Sequence, residues 1–333
     1  MITPKHILIS RTDSIGDVML TLPLCAAIKA KYPSCTISFL GKTYTKDVIG
    51  SYTAVDHFLN WSEMESLTEK EAADQLRTLG IDTIIHVFPN KQIGKIAKLA
   101  GIKNRIGTSH RFHHWFTCNI RPNFTRKSSE LHESQLNFKL AAPIGFNETP
   151  SLEEIKATTS FFQPEKTEFP ADLTAFLAKE GKTYILHPKS QGSALEWPIS
   201  KYVALAEELM NKGNKVIFTG TDGEGKLFRD ELPSNERLLD TTGTLSLAQL
   251  IYLISQSEGL VACSTGPLHV AAFSGVKAIG LYSSRRPIHP GRWMPIGPQA
   301  KALVYDPNCP TCAKGEICKC IEQIPVEKVA NEL

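Results

Sequence analysis

The feature that most restricts the fold of this chain is a repeated alternation. A short apolar run is followed by a loop of small and polar residues, then by apolar residues at near-helical spacing. Lys5 to Ser10 (KHILIS) runs into the polar loop Arg11 to Asp17, and from Gly16 to Lys31 the residues Val18, Leu20, Leu24, Ala27 and Ile28 recur at helical intervals. The runs Cys35 to Leu40, Val55 to Leu59, Asp82 to Phe88 and Asn104 to Gly107 repeat the strand signal, with helical segments such as Ser62 to Leu79 and Lys91 to Ala100 between them. Strands that alternate with helices are joined by right-handed crossovers, which lays them parallel and covers both faces of the sheet.

From Asn147 to Asp172 the pattern dissolves into an acidic stretch containing Pro150, Pro164 and Pro170. It restarts at Thr183 to His187 (TYILH), with a helix predicted over Ile199 to Asn211, strands at Lys215 to Thr219, Gly259 to Cys263 and Ala278 to Tyr282, and a helix near Ser246 to Ser257. A chain of 333 residues at about 100 to 200 per domain makes two domains. We place them at 1–172 and 173–333. The expected class is α/β: two Rossmann-like, doubly wound parallel-sheet domains facing a central cleft, with ligands at the carboxyl ends of the strands.

Composition excludes several alternatives. With 42% hydrophobic and 21% charged residues the chain is an ordinary globular protein rather than a disordered one. No apolar run approaches the roughly 20 residues of a membrane-spanning helix. Residues Met1 to Asp13 lack a signal-peptide pattern, so a cytoplasmic location is expected.

The first loop, Arg11 to Asp17 (RTDSIGD), carries one glycine and lacks G-x-G-x-x-G, which disfavours a nicotinamide dehydrogenase. It offers Gly16 for close backbone approach and two carboxylates, Asp13 and Asp17, at the end of a strand. Asp13 or Ser14 suits a helix cap, and Asp17 suits the first helical turn or, equally, a general base for a substrate hydroxyl. In the second half, His187 to Pro198 (HPKSQGSALEWP) sets Lys189, Ser190, Gly192 and Ser193 between a strand and a helix, where amides and hydroxyls can hold phosphate oxygens. Cys263 to His269 (CSTGPLH) repeats the arrangement with Thr265 and Gly266 opening a helix, and two such loops in one domain suggest a diphosphate. After the strand KVIFT, Gly220 to Gly225 (GTDGEG) places Asp222 and Glu224 either as ribose ligands or as an acidic helix start.

Together these residues resemble glycosyltransferase family 9, the ADP-heptose:lipopolysaccharide heptosyltransferases, over nearly the whole chain. The matching pieces are ILISRTDSIGDVMLTLP, HPKSQGSALEWP, FTGTDGE, CSTGPLHVAA, the segment His289 to Gly297 (HPGRWMPIG) and the cysteine tail ending CIEQIP. The resemblance implies a GT-B architecture, with the C-terminal segment crossing back toward the first domain. It also implies inverting transfer of a heptose from ADP-heptose to a lipopolysaccharide core acceptor. It assigns the base to Asp17 and donor-diphosphate contacts to Thr265 and Gly266, with His269 beside them, and suggests Glu224 for the donor ribose; Gly16, Lys189, Ser190, Ser193 and Pro267, from the same loops, are also expected on the donor side. Ser14, Arg105 and Arg111 are expected on the acceptor side. No cofactor or catalytic metal is implied, since helix N-termini stabilise the departing ADP. One departure stands out: Leu195 occupies the position, two residues before Trp-Pro, where the family usually has lysine, so Lys189 is expected to supply the charge. The alternatives are a family-9 transferase with another nucleotide sugar or glycan acceptor, and a nucleotide-sugar-binding paralogue without catalysis.

The stretch Lys91 to Lys127 contains Lys91, Lys95, Lys98, Lys103, Arg105, Arg111, Arg121, Arg126 and Lys127 with no acid. It reads either as a solvated face or as an anion-binding surface, and with Trp115 it suggests peripheral contact with the cytoplasmic face of the inner membrane, but no nucleic-acid partner. Cys25, Cys35, Cys118 and Cys263 read as reduced core residues. Cys309, Cys312, Cys318 and Cys320 form C-x2-C-x5-C-x-C, tight for a zinc knuckle, and are expected to be structural thiols, reduced or partly paired, with metal binding left open.

Overall fold

The computed structural model describes residues 2–127, 129–316 and 318–333. The chain divides into two compact units, Met1–Gln163 and Pro164–Leu333, and the division falls inside the Pro-containing stretch 147–172.

The first unit holds a five-stranded sheet built from β1 (His6–Ser10), β2 (Thr36–Gly41), β3 (His57–Asn60), β4 (Thr83–His86) and β5 (Asn104–Ile106), in the order β3-β2-β1-β4-β5. Every pairing is parallel, with Ser10 beside Leu40 on one side and His86 on the other. Ile7, Leu8 and Ile9 are fully buried, as a run covered on both sheet faces requires. The chain leaves β1 toward β2 and returns on its other side to β4, so the carboxyl end of β1 is the topological switch point. The helical signal Gly16 to Lys31 resolves into two helices, Ile15–Met19 and Leu22–Lys31; Pro23, in the first turn of the second, restarts the helix where its missing N–H is no loss. The segment Ser62 to Leu79 also splits, into Trp61–Met64 and Glu69–Thr78, because Thr68 and Glu71 form a capping box that starts a new helix.

The second unit holds six parallel strands: β6 (Thr183–His187), β7 (Lys215–Phe218), β8 (Leu238–Asp240), β9 (Gly259–Cys263), β10 (Lys277–Tyr282) and β11 (Ala300–Val304), in the order β11-β10-β9-β6-β7-β8. Its switch point lies between β6 and β9, whose ends are held level by His187 opposite Ala262. The helices Ile199–Asn211 and Gly266–Phe273 follow β6 and β9 directly. The edge strands β8 and β11 have no counterpart in the sequence reading, because half-buried edges carry a weaker apolar signal.

The C-terminal segment, expected to cross back toward the first domain, is built into the second unit. Ile321, Ile324, Val329 and Ala330 join the buried cluster around Trp197, Tyr202 and Leu205. The indole N–H of Trp197 donates to Ile324 O at 3.1 Å, and the Tyr184 hydroxyl donates to Leu333 O at 3.1 Å. Apolar burial on the helix Ile199–Asn211 therefore fixes the tail. No helix among the described residues is long and apolar enough to cross a membrane.

Candidate active site

In the first unit the loop after β1 is organised by one buried cation. Arg11 is 4% exposed, and its guanidinium donates from Nε to Asp13 Oδ1 at 2.7 Å, from Nη2 to Asp17 Oδ1, and from Nη1 to Glu133 Oε1 at 3.3 Å. Burial opposes its charge, yet the facing carboxylates of Asp17, Asp13 and Glu133 leave its pKa raised. Asp13 is pushed up by burial, against the pull of Arg11. Ser14 is the helix cap: its hydroxyl accepts from Asp17 N at 3.4 Å and donates to Asp17 Oδ2 at 2.5 Å. Both oxygens of Asp17 are thus oriented, one by Arg11 and one by Ser14, and Gly16 lies in the same first turn.

Glu133 also accepts from Arg126 Nη1, whose second arm donates to Asn137 Oδ1 at 3.1 Å. The amide of Asn137 reaches back to Leu20 O at 3.0 Å and Thr21 Oγ1 at 3.2 Å, and the Thr21 hydroxyl donates to Asp17 O at 2.8 Å. The helix carrying Asp17 is therefore held from both ends by one polar network. Arg11 and Glu133 were missed by the sequence reading. A basic residue immediately after β1 was a visible signal, whereas Glu133 carries none locally.

Arg105 is held away from Asp17 by its place in the sheet. Arg105 is on β5, which β4 separates from β1, and its guanidinium donates to Thr117 O at 2.8 Å and Ile102 O at 2.5 Å. These two bonds tie Arg105 to neighbouring loops of its own domain. Arg111 is exposed in the segment that also exposes Phe112, Trp115 and Phe116 at 81%, 58% and 61%, with Arg121 stacked over Trp115 at 4.6 Å.

In the second unit the predicted donor residues converge on three neighbouring strand ends. After β6, Lys189 Nζ donates to Glu196 Oε2 at 3.0 Å, while Glu196 Oε1 accepts from Ser190 N at 2.8 Å and Ser190 Oγ at 2.9 Å. Ser193 Oγ closes the turn on Ser190 O at 2.7 Å. The turn passes through Gln191 (φ 50°) and Gly192 (φ 79°), and the second of these suits glycine because it carries no Cβ. Glu196, an acid inside a loop read for anion binding, is the organiser that the sequence reading missed. After β9, Thr265 caps the helix Gly266–Phe273 through its backbone alone, and its Oγ1 is buried without a hydrogen-bond partner. Pro267 sits in the first turn of this helix, and His269 is buried within it. After β7, Glu224 Oε2 accepts from Thr221 N at 2.7 Å and Thr221 Oγ1 at 3.0 Å in a capping box, so that oxygen is committed to the helix start. His187, at the end of β6, is held down to about 4 by burial, with Glu224 and Glu196 pulling the other way. An open pocket of about 430 Å³ beside these loops is lined by Leu195, Ser264, Tyr282, Arg285 and Arg286, among others.

Two parallel doubly wound domains, each with a switch point among its central strands, have the fold of the GT-B glycosyltransferases. The chain belongs to glycosyltransferase family 9 (heptosyltransferase), whose profile matches residues 73–321. It is 25% identical, over 99% of its length and 96% of the relative's, to a Haemophilus influenzae protein described only as a glycosyltransferase. It is 22% identical to lipopolysaccharide heptosyltransferase 2 of Escherichia coli K12, covering 98% of this chain and 97% of that one. The structure of Escherichia coli ADP-heptose lps heptosyltransferase II shares the fold, with a TM-score of 0.74 over 98% of this chain and 97% of that chain at 16% identity.

Proposed function

We propose that this glycosyltransferase moves a heptose from ADP-heptose to a lipopolysaccharide core acceptor with inversion, Asp17 serving as general base. The observation that carries this reading is the orientation of both Asp17 oxygens at the switch point of β1, one by Arg11 and one by Ser14. A carboxylate so held accepts the proton of an acceptor hydroxyl as that oxygen forms its bond to the anomeric carbon and the bond to ADP breaks. Negative charge then grows on the diphosphate. The amides that open the helix Gly266–Phe273, together with Thr265, Ser190 and Lys189, are suited to receive it, so the transfer step needs no divalent ion. The heptosyltransferase relatives support the heptose and the lipopolysaccharide acceptor. The acidless stretch 91–127 and its exposed aromatic residues support peripheral contact with an anionic membrane surface.

A second reading, a family-9 transferase with another nucleotide sugar or a binding paralogue, is favoured by one observation. Leu195 is apolar, and the charge of Lys189 is already paired with Glu196. Incubating the enzyme and a lipopolysaccharide core acceptor with ADP-heptose and with UDP-, GDP- and other ADP-sugars separates the readings. Turnover confined to ADP-heptose supports the first, and preferred use of another donor, or binding without turnover, the second.

A further inference from the structure

The segment that follows β11 gathers four thiols that play no part in the transfer chemistry above. Cys309, Cys312, Cys318 and Cys320 place their sulfur atoms within 4.8 Å of one another. Cys309 caps the short helix Pro310–Ala313, which brings Cys312 back beneath it, and the turn through Gly315 returns the chain so that Cys318 Sγ lies 4.0 Å from Cys309 Sγ and 2.8 Å from Cys312 Sγ. All four are free thiols, and the 2.8 Å separation is far longer than the roughly 2.05 Å of a disulfide bond. Cys309 and Cys312 are buried and the other two half-buried, so the cluster has an inner wall and an open side.

From this geometry we propose that the four cysteines form a mononuclear tetrathiolate site for one thiophilic metal ion, Zn(II) or Fe(II). Four thiolates at about 2.3 Å from a tetrahedral zinc stand about 3.8 Å apart, within the spread seen here. An iron–sulfur cluster, with its own iron and sulfide atoms between the thiolates, requires a wider cage. Cys320 N–H points at Cys318 Sγ at 3.4 Å, an amide directed onto a sulfur that becomes negatively charged when its proton leaves. On binding, the four S–H groups release their protons, and the resulting complex carries two negative charges in a segment that also holds Lys314 and Lys319.

The site adjoins the pocket beside the donor loops. Arg285, which lines that pocket, donates from Nε to Gly315 O at 2.9 Å, inside the cysteine loop, and Ser284 Oγ donates to Asp306 O at 2.5 Å just before it. Ile321, one residue past Cys320, lines the same pocket. An ion bound by the four sulfurs therefore fixes the wall that carries Arg285. The role is structural and lies apart from the reacting atoms.

Cobalt(II) tests this on the full chain. Reduced, metal-stripped protein titrated with Co(II) should develop the intense d–d and thiolate-to-cobalt charge-transfer absorption of a tetrahedral thiolate site, saturating at one equivalent and bleached by Zn(II). Cys312→Ser and Cys318→Ser should each lose those bands. Metal analysis of protein as purified then distinguishes zinc from iron. Absence of the bands in the reduced wild-type chain, or their persistence at full strength in Cys312→Ser, would overturn the site. So would a native mass showing that the four thiols are closed as disulfides before any reductant is added. The titration reads metal binding alone, so its result is independent of which sugar the enzyme transfers.

Discussion

Arg11 and Glu133 stand 122 positions apart in the chain and meet at 3.3 Å, both almost fully buried beneath the loop that presents Asp17. Charge is expensive to bury unless it is paired. The chain has nevertheless buried this guanidinium and placed it between Glu133, which Arg126 also holds, and the carboxylates of Asp13 and Asp17. The base is thus positioned from within the domain.

Asp17→Asn should lower turnover by about 10²- to 10⁴-fold, the range of a lost general base, while leaving the dissociation constant for ADP nearly unchanged. The amide keeps the hydrogen-bonding shape and loses basicity. Wild-type-like kcat in this variant removes Asp17 from the mechanism.

Glu133→Ala leaves Arg11 and Arg126 without their shared partner in the interior. Breaking a buried pair in this way costs about 3 to 5 kcal/mol, which should appear as a lowered urea midpoint. A midpoint equal to that of wild type would show that the network carries little of the first unit's stability.

Lys189→Ala should weaken ADP binding measured by calorimetry, and Leu195→Lys, which restores the charge at the family's usual position, should recover part of it. Glu196→Gln is the informative companion. It frees Lys189 from its ion pair but loosens Ser190, so tighter binding in this variant identifies the ion pair as a restraint on affinity, and weaker binding identifies it as the loop's support.

Histidines whose pKa is lowered in the fold should make stability pH-dependent, His86 and His187 above all. His86 is held near 3, first by burial and then by His114, His113 and Arg105, and His187 is held at about 4. Both lie below the value of about 6.5 for an unfolded chain. The unfolded state therefore binds more protons as pH falls through 6.5, and stability is lost progressively from there down toward about 4 and 3. His86→Leu, which also removes two ring nitrogens buried without partners, should raise the melting temperature more at pH 5 than at pH 8. An equal shift at both pH values would place the acid sensitivity elsewhere.

Vesicles containing anionic lipid should bind the enzyme at low salt and release it as salt rises, since attraction to such a surface falls off within a Debye length of roughly 8 Å at physiological ionic strength. Reversing Lys95, Lys98 and Lys103 together should weaken this binding without altering ADP affinity, and Trp115→Ser should weaken it further by removing an exposed indole. Equal sedimentation of wild type and triple mutant would leave the stretch as a solvated face.

The strands and their parallel class were legible because β1, β6 and β9 are buried on both faces, and a buried parallel strand has to be written as an apolar run. The same holds for Ser14 and Asp17, whose partners lie within a few residues, since a helix cap is a local device. Glu224 shows the converse. The sequence left a choice between a ribose ligand and a helix start, and the fold commits one of its oxygens to the capping box.

What the sequence determined by itself was local: alternation, caps, and the order of loops at strand ends. Only the tertiary structure brought Glu133 to Arg11, turned Arg105 onto its own carbonyls, pinned the C-terminal tail to the helix Ile199–Asn211, and drew four cysteines spaced along a loop to within 4.8 Å. The physical reason is common to these cases. Each contact satisfies a buried charge, a polar group or an apolar face whose partner lies far along the chain or across a turn, and no local pattern records a partner at that distance.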